Sequence, residues 1–328
     1  MIRFLQLFFV FFTSSLFFYQ SLVSFDKVVI WGHKLHSHTH SYIHSGFYTA
    51  FKRLGYPTCW FDNDENVASF DFSHTLFISE GQVDEKMPLR QDCLYLIHNP
   101  VLHAKYEGLK IAYFQVYTDD VLSLPDLLQV DKCIYYDISG KCIYMPWATD
   151  LFPDEIDQIK NDLASVEKQS VVYWIGTLGE GRFGNHNEIA PFALACKENG
   201  IEFTSPNPWS TGISLEEHRR MIGISYMAPA IVGEWQAKIG YIPCRIFKNI
   251  SYGQMGVTNS ARVYELFEGR VVYNPDTYQL FYDARKRLET FSLDELHDLM
   301  DFVKDKHTYL NRVQTMLDFL NLLGYDDL

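Results

Sequence analysis

Two stretches carry the residue types that do chemistry. Between Ile30 and Gly46 stand His33, His36, His38, His40 and His44, five of the chain's 12 histidines within 17 residues. A neutral imidazole near pH 7 can take a proton from a hydroxyl. Imidazoles at alternate positions can also ligate zinc, and a polar turn would need neither chemistry. The second stretch is "GYIPCRIFKNISYGQMGVTNSARVYELFEG", Gly240 to Gly269. Pro243 and Gly253 outline a short helix, proline at its start and glycine at its exit. Arg245 and Lys248 then share one face of its first turns. Cations at the positive end of a helix dipole are unfavourable unless an anion lies between them. Tyr252 and Gly253 open a small-residue loop leading to a second helix, capped by Asn259 or Ser260. Two helix starts, two cations and flexible glycines describe a site for the phosphates of a nucleotide.

The elements that must position these residues follow a βα rhythm. "DKVVIWG" is a short apolar, β-branched run ended by glycine, as in a strand buried on both faces. Apolar residues then recur at helical spacing from Tyr42 to Leu54, and "PTCWFDN" gives a second strand. "HTLFISEG", "DCLYLIHN" and "KIAYFQVYT" continue the series, and "KCIYYDISGKCIYMPW" suggests a hairpin-like pair. After an acidic, weakly amphipathic helix near residue 155, a second series starts: "SVVYWIGTLGEG", the helix "NEIAPFALACKENG", "IEFTS", the helix "EEHRRMIGISY" and the strand "MAPAIVG". Helices close the chain, one of them opened by Ser292 and Glu295 at capping-box spacing. The expectation is an α/β protein of two Rossmann-like, doubly wound domains facing across a cleft, with C-terminal helices. Residues 26–150 would form the first domain and 151–328 the second. Ligands would lie at the C-terminal ends of the strands.

A chain of 328 residues suits two domains. Its net charge of −13 argues against nucleic-acid binding, which needs clustered cations. The six cysteines follow no zinc or disulfide spacing, and most sit in apolar runs, as buried thiols do. Residues 1–25, with Arg3 as their one charge, are long and apolar enough for a signal or a membrane anchor. They imply membrane association or export.

On the order and spacing of "VVIWGHKLHSHTHSYIHSGFYTAFKRLGY", "YMPWATDLFP", "VVYWIGTLGEG", "IPCRIFKNISYGQMGVTNSARVYELFEG" and "HTYLNRVQTMLDFL", the chain resembles GT-B-fold, group-1-like glycosyltransferases. It is similar to those of the spore-maturation type, over most of its length after residue 26. The resemblance implies transfer of a sugar from a nucleoside-diphosphate sugar to a glycan, lipid or protein, with no cofactor and no metal. Gly176, Thr177 and Gly179 of "GTLGEG" would meet the donor. Arg245, Lys248 and Asn249 would neutralise the leaving diphosphate. The histidine loop would face them across the cleft, with His33, His38 or His40 as base. One departure stands out: the family often has glutamate where this chain has Lys248, at the position that would meet ribose or sugar hydroxyls. Two rival readings are a histidine-cluster metal-dependent hydrolase, for which the second half supplies no further His or Asp ligand set, and a non-catalytic binder of glycans or nucleotides.

Overall fold

The computed structural model describes residues 25–34, 39–206 and 212–325. The apolar segment before residue 25, together with His36 and His38, lies outside the described residues. Among the described residues no helix is long and apolar enough to cross a membrane.

The first lobe is built on one eight-stranded sheet. It contains β1 (Lys27–Trp31), β2 (Thr58–Phe61), β3 (Thr75–Glu80), β4 (Leu94–His98), β5 (Lys110–Gln115), β6 (Leu127–Asp131), β7 (Ile134–Asp137) and β8 (Cys142–Tyr144), in the order β2-β1-β3-β4-β5-β8-β7-β6. Strands β1 to β5 and β8 run parallel, and β6-β7-β8 form an antiparallel edge. Side chains alternate between faces. Val28, Ile30, Leu76, Ile78, Leu94 and Leu96 bury one face, towards helix α1 (Thr39–Arg53). Val29, Trp31, Phe77, Tyr95 and Ile97 bury the other, under loops that carry Phe70, Phe72, Met87 and Tyr106. Burial on both faces is why these strands read as continuous apolar runs.

The second lobe starts after α2 (Pro153–Asp162) with β9 (Val171–Tyr173), α3 (His186–Glu198), β10 (Glu202–Thr204) and α4 (Leu215–Ile224). It continues with α5 (Glu234–Lys238), α6 (Cys244–Ser251), β11 (Val257–Thr258), α7 (Ala261–Leu266) and β12 (Val272–Tyr273). Its strands are short: β10 pairs with β9 and β11 with β12, each in parallel. The expected strand "MAPAIVG" lies between the two pairs. The Tyr226 N–H donates to the Val171 carbonyl, and one parallel bridge joins Ala230 to Thr258. Pro229 has no N–H to give a ladder, and the Asn259 side chain clasps both the N–H and the C=O of Val232, each at 2.9 Å. The resulting strand order repeats the 2-1-3-4-5 order of β1 to β5, and the architecture is the expected α/β fold of two lobes.

Helices α8 (Thr277–Leu288), α9 (Leu293–Lys306) and α10 (Tyr309–Leu322) end the chain. The sequence reading gives all of them to the second unit, but α10 returns to the first lobe and packs on α1. The contact is close because Gly46 has no side chain: a Cβ there would lie 2.4 Å from the Tyr309 ring. The chain therefore crosses between lobes twice, side by side, at residues 146–152 and 306–309. The Thr149 N–H donates to the His307 carbonyl at 3.0 Å. Arg312, fully buried, locks the two crossings by donating to the carbonyls of Pro146, Lys306 and Trp147 and to His307 Nδ1.

Candidate active site

The cavity between the lobes, about 260 Å³, is walled by the strand ends of the second lobe, by α6, and by Tyr42, Ile43 and Tyr309 from the α1–α10 side. Helix α6 turns Ile246, Phe247 and Ile250 into the core and Arg245 and Lys248 towards the cavity. Pro243 stands at its N-cap rather than inside its first turn.

Arg245 lies with its guanidinium 3.8 Å from the centroid of the Trp174 ring, and Nη1 donates to the Ile175 carbonyl at 2.9 Å. Gly176, at φ +147, makes room for it: a Cβ would come within 2.4 Å of Nη2. Among the described residues no carboxylate pairs with Arg245, and burial pulls its pKa down to about 10. Arg312 differs in kind, since carbonyls and His307 take up Nε, Nη1 and Nη2. A half-buried cation with spare donors facing a cavity is equipped for an anion.

Lys248 reaches across the gap to the first lobe, its Nζ 4.5 Å from the centre of the Tyr42 ring. Below it, Asp150 in the first crossing accepts from the Tyr252 hydroxyl and from Arg219. Burial alone would raise the Asp150 pKa, but Lys248, the Tyr252 hydroxyl and Arg219 together hold it below the usual carboxylate value. His218 stands edge-on to both Tyr42 and Tyr252, and burial, then Lys248, push its pKa down to about 2. Its Nδ1 and the Trp174 Nε1 are buried without a hydrogen-bond partner among the described residues.

The structure thus gathers Gly176, Thr177, Arg245, Lys248 and Asn249 at one cavity. Asn249 holds its place by donating to the Ala228 carbonyl. Gly179 lines a neighbouring cavity with Arg182, Glu234 and Trp235. Other expected contacts have structural tasks instead. Tyr252 supports Asp150, and Gly253, at φ +84, exits α6 against Leu163. Asn259 braces Val232, a cavity residue, and Ser260 caps α7. Trp174, Asp150, His218 and Tyr42 escaped the sequence reading. Trp174 and Asp150 stand inside the quoted segments, but nothing in the spacing marks them, and His218 is one polar residue on a polar helix.

The histidine stretch forms a second cluster, at the strand ends of the first lobe. His33 follows β1 with φ +60 and is buried; its Nε2 lies 3.3 Å from Oε2 of Glu80, the last residue of β3. The His40 ring stands 5.1 Å from that of His33 and 5.7 Å from that of His98, at the end of β4. His44 Nδ1 donates to the Gly32 carbonyl and His98 Nδ1 to the Phe114 carbonyl. Burial lowers these two pKa values to about 3 and about 4, so both rings are neutral. Glu80 is another residue that no motif or spacing singles out, and His38 lies outside the described residues. The cluster does not line the interlobe cavity. It adjoins it through α1, where Tyr42 and Ile43 follow His40, and through Trp147, whose ring meets His98 at 4.8 Å beside Ala148.

No family model and no curated protein sequence matches the chain. Solved structures do. An alpha-glucosyltransferase (AGT) in complex with UDP matches with a TM-score of 0.58 and 11% identity, covering 91% of this chain and 100% of that one. The alpha,alpha-trehalose 6-phosphate synthase of Burkholderia multivorans matches at 0.53 and 11%, covering 93% and 100%. These likenesses extend over both lobes and show the GT-B fold.

Proposed function

We propose that the chain is a glycosyltransferase that moves a sugar from a nucleoside-diphosphate sugar to a hydroxyl of a glycan, lipid or protein. The observation that carries this reading is Arg245: a half-buried guanidinium stacked on Trp174, with one backbone carbonyl and, among the described residues, no carboxylate as partner, facing the interlobe cavity beside Lys248. The likeness to a glucosyltransferase solved with UDP supports it, as does the motif-level resemblance to spore-maturation-type transferases. In the reaction the acceptor oxygen loses its proton and bonds to the anomeric carbon. The bond from that carbon to the diphosphate oxygen breaks, and its electron pair leaves on the diphosphate. Arg245 and Lys248 neutralise that charge without a metal, as it builds in the transition state. The imidazole–carboxylate cluster of His33, His40 and Glu80, to which His38 is adjacent in sequence, removes the acceptor proton. Residues 26–150, with α10 packed on them, form the acceptor-side unit, the rest of residues 151–328 binds the donor, and residues 1–25 bring the chain to a membrane or its export route.

Calorimetric titration with UDP, GDP and their sugars, with and without chelator, tests the donor half. Micromolar binding of one of them, unchanged by chelator and weakened in Arg245→Met, is the expected result. No binding by any of them would refute the reading. Binding without turnover against a panel of acceptors would reduce the chain to a nucleotide-binding protein.

A further inference from the structure

The cluster at the strand ends of the first lobe has a geometry that proton transfer alone does not require. His33, His40 and Glu80 each turn one ligand atom to a common point, all within 4.8 Å of one another. Glu80 is fully buried. Its Oε2 takes the His33 Nε2 contact at 3.3 Å and the Gln82 N–H at 3.1 Å, whereas its Oε1 is buried with no hydrogen-bond partner among the described residues. A buried carboxylate oxygen with no partner costs free energy, so its retention needs an explanation. His33 adds a second cost: its backbone stands at φ +60, in the left-handed region that a non-glycine residue rarely adopts.

We propose that His33, His40 and Glu80 bind one divalent transition-metal ion of the zinc type. Two imidazoles and a carboxylate are a donor set that zinc accepts, with a fourth position left open. The unpartnered oxygen gains a ligand bond, and the strained backbone serves to aim the His33 ring. In zinc sites ligand atoms lie about 2.0–2.2 Å from the ion, so these three need only draw in slightly around it. His98 and His44 stand behind the ligands as neutral rings fixed to backbone carbonyls, and add no charge that would repel a cation. On the transferase reading, on which this one consequence rests, the acceptor hydroxyl would take that fourth place, where the ion would lower its pKa and its proton would pass to solvent water in place of the imidazole base. The metal site itself rests on the geometry alone.

The test uses the full-length, untagged chain stripped with chelator and titrated with zinc alone, then with cobalt(II) for its visible absorption. One equivalent of saturable zinc is expected, with cobalt bands of a low-coordinate nitrogen–oxygen site. Glu80→Gln and His40→Ala should each weaken zinc at least about hundredfold, since loss even of a supporting partner costs ten- to a hundredfold. Nucleotide titration of the same variants keeps the two proposals apart, because the diphosphate pocket holds none of these ligands and its affinity should not change. Should Glu80→Gln fail to fold, His40→Ala, at a half-buried position, carries the test. Absence of stoichiometric zinc binding, or zinc affinity unchanged in His40→Ala, overturns the site.

Discussion

Replacing Arg245 by methionine separates the functional reading of this side chain from a structural one. Burial penalises the charge of the guanidinium and pulls its pKa down to about 10, below the ordinary arginine value, a difference worth roughly 3 kcal/mol. In the free protein it recovers one hydrogen bond, to the Ile175 carbonyl, and the stacking on Trp174. Methionine keeps much of the stem's packing and removes the uncompensated charge. The free variant should therefore be as stable as the parent, or more stable by up to about 2 kcal/mol. The nucleotide complex should lose a charge-assisted contact worth about 1.5–3 kcal/mol, roughly a ten- to hundredfold loss in affinity. Arg312→Met is the control. It strips three carbonyls and His307 Nδ1 of their donor at the crossing of the lobes, and should cost about 3 kcal/mol or more. Denaturant unfolding of both variants without ligand, with calorimetry on whichever of UDP and GDP binds the parent, gives the comparison. If Arg245→Met destabilised the free protein as much as Arg312→Met does, and bound nucleotide like the parent, the guanidinium would be a structural brace and the donor pocket would lie elsewhere.

Two further perturbations probe the surroundings. Asp150 has a depressed pKa in the fold, so its stabilising contribution is present above the unfolded value and is lost as pH falls through the folded one. Lys248→Met removes a large part of that depression, so acid unfolding followed by tryptophan fluorescence should begin at higher pH; an unshifted midpoint would mean that Lys248 does not act on Asp150. Gly46→Ala pushes a methyl group to within 2.4 Å of the buried Tyr309 ring and should cost about 1–3 kcal/mol by overpacking the α1–α10 contact. A denaturant midpoint unchanged by that substitution would show that α10 does not hold the first lobe as closely as described.

The first lobe was the more legible half because its strands are buried on both faces: Val28 to Trp31, Leu76 to Ile78 and Leu94 to Ile97 admit few polar residues. The antiparallel edge strand β6 was not, since its centre is exposed and its pattern mixed. Short strands made the second lobe harder to read. β11 and β12 have two residues each, and Pro229 reduces "MAPAIVG" to a single bridge. At the site, the cations of α6 could be read from helix outline and charge, because like charges at a helix start are locally unfavourable. Asn259 and Ser260 obey the same local rules, but their side chains satisfy backbone groups, which only the fold can reveal. Glu80 and Asp150 were illegible for another reason: what distinguishes them is their partners, 47 residues away in His33 and 102 away in Tyr252.

Arg245 and Arg312 show what kind of observation sorts such residues. Burial depresses both below the ordinary arginine value, so a lowered pKa does not distinguish them. The pattern of donors does. Arg312 spends its donors on the carbonyls of two crossing segments and on His307, which fixes the geometry of the crossing. His307 in turn stacks on Phe247 of α6 at 4.3 Å. The helix that presents Arg245 and Lys248 is thus backed directly by the crossing, and its outer face meets the first lobe where Lys248 lies over the Tyr42 ring. The lobes also meet beside α6, where Arg262 pairs with Asp119, Lys132 pairs with Glu268 and the Asp119 N–H donates to the Ile239 carbonyl, so the cations stand between two interlobe contacts. Nucleotide affinity should then be set mainly by the cations and strand ends of the second lobe, with the Lys248–Tyr42 contact as the point where the first lobe meets what is bound there.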